Sequence, residues 1–108
     1  MERHRLQDMT GGWFVGNFEP TALKLEHAEV AFKAYKAGDR EPCHHHKFAT
    51  EVTLIVRGIC KFHETGDTYA DGDILVISPD ESVEFHALTD CETVVFKMPS
   101  LTGDKYDG

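Results

Sequence analysis

Long apolar runs are missing from this 108-residue chain. No stretch approaches the roughly 18 residues a membrane-spanning helix needs, so no membrane partner is expected. The opening MERHRLQDMT has no apolar segment, so no secretory leader is expected. Cysteine is scarce. Cys43, Cys60 and Cys91 make an odd count with no C-x-x-C pair, which fits reduced thiols in a cytoplasmic protein better than a disulfide framework. Basic residues are few: Lys and Arg total 11 against 19 Asp and Glu, a net charge of -8. Between Phe62 and Phe96 there is no Lys or Arg but nine carboxylates. Such a surface repels phosphate backbones and anionic headgroups, so no nucleic-acid partner is expected. Helical spacing is also missing, except for a short turn that fits the N-terminal stretch.

What is present is the punctuation of an all-β protein. Gly and Pro recur at short intervals, and between them lie runs rich in Val, Ile, Phe, Thr and Tyr. These predict strands near Trp13–Asn17, Leu23–His27, Glu29–Lys36, Glu51–Arg57, Ile59–Glu64, Asp73–Ser78, Ser82–Leu88 and Thr93–Met98. Eight short strands with turn signals between them suggest a sandwich or jelly-roll barrel. Glu29–Lys36 alternates, with Val30, Phe32 and Ala34 on one face and Lys33 on the other. Val52–Val56 and Ile74–Ile77 are nearly continuous and apolar, as in strands covered on both faces. Phe85 and Phe96 read as core. Trp13, Phe14 and Phe18 read as a cover for the barrel or part of a dimer interface. The chain is expected to be one domain: an N-terminal extension and outer strands over 1–28, a barrel over 29–99, and a polar tail over 100–108 that frays from Thr102.

The chemistry concentrates between Gly38 and Gly58. On an extended strand His44 and His46 share a face and His45 points away. Glu51 opens the next apolar strand. Two imidazoles and a carboxylate on adjacent strands suit a divalent metal with open positions, Fe, Mn, Ni or Zn. Three consecutive His also suit a surface cluster on a loop. Cys43, beside His44, reads more readily as a small apolar residue than as a ligand.

Gly38, five residues, His44-x-His46, four residues, Glu51, six residues, Gly58: this spacing resembles the first motif of the cupin superfamily, without gaps. Asp71-Gly72-Asp73, an apolar run and Pro79 resemble the entry to its second motif. The resemblance covers about residues 30–98. It implies a double-stranded β-helix, a small jelly-roll barrel with a metal in its mouth, and a homodimer. The second motif departs from the pattern. Counted from Gly72, Ser78 stands in its Pro slot, Asp80 in its Gly slot, Val83 in its His slot and Ala87 in its Asn slot. The nearest imidazole is His86, on the opposite strand face from Val83, and it reaches the metal only if a bulge or a longer turn shifts the register. Otherwise water, Glu84 or nothing completes the site.

Two functions follow. One is an enzyme, a dioxygenase or isomerase acting on an oxygenated small molecule, with Tyr69, Glu84 and His86 as pocket candidates. The other is a non-catalytic module that binds a small ligand or assists a partner, its metal site degraded. The residues leave both open.

Overall fold

The computed structural model describes residues 1–108. A single 3-10 turn, Leu6–Asp8, precedes eleven strands: β1 Trp13–Gly16, β2 Leu23–Lys24, β3 Glu29–Tyr35, β4 His44–His45, β5 Thr50–Arg57, β6 Cys60–Lys61, β7 Thr68–Tyr69, β8 Ile74–Ile77, β9 His86–Ala87, β10 Cys91–Met98 and β11 Tyr106–Asp107. No helix is long and apolar enough to cross a membrane. Each expected strand is present, though those at Leu23, Cys60 and His86 are two residues long.

Six strands form one sheet in the order β2-β1-β3-β10-β5-β8. A three-stranded sheet, β7-β6-β9, and the pair β11-β4 complete the fold. Apolar side chains from both sides meet between the sheets. Ile55 and Cys91 from the large sheet pack with Cys60, Phe62, Val83, Phe85 and Ala87.

The register explains which face looks inward. Across β3, β10 and β5 the rows Glu29–Lys97–Glu51, Ala31–Val95–Thr53 and Lys33–Thr93–Ile55 line up, and all but Ala31 and Ile55 line the barrel cavity. The intervening rows, Val30–Phe96–Val52–Val76 and Phe32–Val94–Leu54–Ile74, face outward. This corrects three expectations. On β3 the apolar alternation marks the outer face, because the inner face lines the cavity with Glu29, Lys33 and Tyr35. Phe96 is not core but 38% exposed. The apolar runs of β5 and β8 are covered on one face only, with Leu54, Val56, Ile74 and Val76 exposed.

The tail also departs from expectation. It does not fray: β11 pairs with β4, Tyr106 opposite His45 and Asp107 opposite His44. Asp104 is buried, and its carboxylate accepts the backbone N–H groups of Lys47, Phe48 and Ala49 at 2.9 to 3.4 Å. Burial pushes this carboxyl up, but the three donors outweigh burial and hold it below its ordinary range.

Candidate metal centre

The cavity holds about 360 Å³, and His44, His46 and Glu51 all line it. His44 is held by its backbone: its N–H donates to Val83 O at 3.0 Å, and Val83 N–H donates back at 2.9 Å. The turn at Asp80 tethers His46, whose carbonyl accepts the Asp80 N–H at 2.6 Å. Asp80 itself has φ 69, so the slot where the resembled motif carries Gly keeps the glycine-like conformation here.

Both rings are oriented from behind. His44 Nδ1 meets Pro42 O at 3.0 Å, and His46 Nδ1 meets Asp104 O. A carbonyl only accepts, so each Nδ1 carries the proton and each Nε2 presents its lone pair. The two rings stand edge to face, with centroids 5.4 Å apart. His46 Nε2 is buried and has no hydrogen-bond partner. Glu51 Oε1 lies 3.6 Å from it. Two acceptors that face each other in a buried site need a cation between them, either a proton on the ring or a metal ion. Burial pushes the Glu51 carboxyl up. The imidazolium form of His46, the Thr53 hydroxyl at 3.0 Å and the Lys97 charge outweigh burial and hold it below its ordinary range.

The donor chemistry therefore fits a divalent transition metal that would take the place of the proton on His46: two imidazoles with backbone carbonyls behind them, and one carboxylate. No three His, Cys, Asp or Glu side chains already stand close enough together to hold an ion. The chain presents a His46–Glu51 pair with His44 beside it.

The other candidates lie elsewhere. His86 sits on β9, paired with Lys61 and bridged to Arg40. Neither His86, Tyr69, Glu84 nor Cys43 lines the cavity. Val83, bridged to His44, occupies the wall instead. No bulge brings His86 round, and parity alone keeps it out. Tyr69 packs edge-on against Phe62 in the core.

Several cavity residues have no motif to announce them. Glu29 accepts from Lys97 at 3.0 Å and from the Ser100 hydroxyl at 2.7 Å. Tyr35 donates its hydroxyl to Glu41 at 2.5 Å. Burial and the Glu41 carboxylate push the Tyr35 phenol well above its ordinary value. Trp13 and Phe18 from the N-terminal segment line the same cavity. The signal for Glu29, Lys33 and Tyr35 was period-two spacing on β3. Asp104 carried none.

No family model matches the chain. Over 67 residues the chain is 28% identical to the XylDLEGF operon transcriptional activator 1 of Pseudomonas putida, a match that takes 60% of this chain and 19% of that protein. The chain thus spans about a fifth of the curated relative it matches. Among solved structures, an RmlC-like cupin protein from Desulfovibrio desulfuricans is 24% identical, with TM-score 0.62 over 70% of this chain and 76% of its own. The DMSP lyase DddQ from Ruegeria pomeroyi is 16% identical, with TM-score 0.71 over 86% of this chain and 48% of its own. The bacterial pirin YhhW from Escherichia coli, in complex with nickel(II), is 18% identical, with TM-score 0.65 over 82% and 39%.

Proposed function

We propose that this chain, a single barrel with the double-stranded β-helix fold of the cupins, is a small metal-binding protein that acts on an oxygenated small molecule as a dioxygenase or isomerase. His44, His46 and Glu51 would hold one divalent transition metal, Fe, Mn, Ni or Zn. The observation that carries this reading is the buried, unpartnered Nε2 of His46 facing the Glu51 carboxylate. When bound, such an ion supplies Lewis acidity to a ligand oxygen. The chain does the rest. Pro42 and Asp104 hold the two imidazoles in one tautomer. Phe62, Val83 and Phe85 give the cavity an apolar wall. The Tyr35–Glu41 pair keeps a proton on the phenol oxygen at the cavity wall.

One barrel of this fold is a DMSP lyase, and another was solved with nickel(II). A second reading is a non-catalytic ligand-binding or accessory module. Val83 in the slot of the missing imidazole favours it, and so does the partial likeness to a transcriptional activator.

Three free cysteines support a reduced, cytoplasmic setting. The two outward apolar rows on β10, β5 and β8 support a homodimer that buries them.

Calorimetric titration of chelated protein with Ni(II) tests the metal reading. It should give one site, weakened at least about a hundredfold in Glu51→Gln, since even indirect support to a ligand is worth tenfold to a hundredfold. Equal binding by the variant would remove Glu51 from the site and favour the second reading.

A further inference from the structure

The cavity's charges are unequally satisfied. Four carboxylates line it, Glu29, Glu41, Glu51 and Asp104, and each already has protein donors: Lys97 and Ser100, Tyr35, Thr53, and three backbone N–H groups respectively. The lysines are not balanced in the same way. Lys97 pairs with Glu29. Lys33 and Lys105 also line the cavity, and neither has a carboxylate within 4.0 Å.

Lys33 is the more telling. It lies in the middle of β3 on the inward face, opposite Thr93. Its ammonium donates to Gly11 O at 2.7 Å and stands 5.2 Å from the Trp13 ring centre. An ammonium has three donors, and one hydrogen bond uses one of them. Burial lowers its pKa; the Glu41 and Glu51 carboxylates oppose that, and the Lys105 and Lys97 charges add to it. Partial burial of a cation is costly unless an anion joins it, and no carboxylate stands within 4.0 Å of this one.

We propose that the cavity binds a small organic monocarboxylate, its carboxylate on Lys33 and its apolar body against Trp13 and Phe18. The anion carries a single charge because four carboxylates share the cavity. A phosphate dianion would find neither an arginine nor a helix N-terminus among the lining residues. The proposal rests on reading the barrel interior as a ligand cavity and needs no metal.

Trp13 is the sole tryptophan, so its fluorescence reports on this site. Chelated protein is titrated with hexanoate, with hexanamide and with inorganic phosphate. Affinity is taken from the midpoint, not the amplitude, and calorimetry serves as a second readout. Hexanoate should saturate at lower concentration than hexanamide or phosphate. Lys33→Gln should weaken hexanoate about tenfold and leave hexanamide unchanged, while Lys33→Arg should retain the preference. Lys105→Gln, at an exposed position, tests the second cation without risk to folding and should weaken hexanoate by a smaller factor. Equal affinity for hexanoate and hexanamide in wild type would overturn the proposal. So would tighter binding of phosphate, or hexanoate binding that ignores both lysines. Because the metal is removed first, a failure here leaves the metal reading standing, and the Ni(II) titration fails or succeeds separately.

Discussion

His46 Nε2 and Glu51 Oε1 face each other 3.6 Å apart inside the barrel, with no other partner for the nitrogen. His46 ends the His-rich segment, and Glu51 sits near the start of β5, five residues beyond it. What brings them together is the tail. The Asp104 carbonyl takes the far side of the His46 ring, and the Asp104 carboxylate clamps the intervening turn at Lys47, Phe48 and Ala49.

Asp104→Asn should therefore destabilise the fold by about 2 kcal/mol, because an amide cannot replace charge-assisted bonds to three backbone donors. The sign of the pH dependence follows from the direction of the shift. The folded-state pKa is depressed, so the wild-type carboxylate contributes fully above about pH 4 and loses that contribution as pH falls further. Denaturant midpoints of wild type and variant should differ by a constant amount from neutral pH down to about pH 5 and draw together as pH falls below about 4. A constant gap down to pH 3 would show that the carboxylate is not the source.

Gly58 closes the first motif at a point of close approach. It has φ +99, and a Cβ there would stand 2.2 Å from Asp90 O and 2.7 Å from Cys91 Sγ. Gly58→Ala should cost about 3 kcal/mol or more, since strain and overpacking add. Gly38 has φ +93 but open space around it, so Gly38→Ala should cost about 1 kcal/mol. Thermal midpoints of the two variants that fall equally would contradict this ranking.

The outward rows predict self-association. Ile74 and Val76 are 65% and 64% exposed, in register with Leu54 and Val52 on β5. Sedimentation velocity should find a dimer that Ile74→Glu/Val76→Glu converts to monomer with its circular dichroism unchanged. A wild type that sediments as a monomer at high concentration would leave this face without the proposed partner.

Much of this was legible beforehand, and the failures share a cause. Turn residues and β-branched runs located every long strand, because local chemistry sets those. The spacing from Gly38 to Gly58 picked out His44, His46 and Glu51; all three line the cavity, but they do not stand close enough together to hold an ion. Facing was the weak point. Apolar alternation on β3 normally marks the core, but here the inner face of β3 lines the cavity with Glu29, Lys33 and Tyr35 and its apolar residues lie outside. For the same reason Lys33, Glu29 and Lys97 escaped notice as cavity residues. Asp104 escaped because a polar tail carries no local sign of where it docks. That contact joins positions 57 residues apart in the chain. His86 failed on parity, which the strand carried from the outset: Val83 and Phe85 line the cavity and His86 does not.

The proposed role of His44, His46 and Glu51 is to hold a metal ion. Metal content by mass spectrometry on untagged protein, beside a His44→Ala/His46→Ala variant, tests it most directly. About one equivalent of a transition metal per chain in the wild type, lost in the variant while the fold persists, is the predicted result. Substoichiometric metal in both, with no uptake when Fe, Mn, Ni or Zn is added back, would contradict it. The cation between His46 and Glu51 would then be a proton.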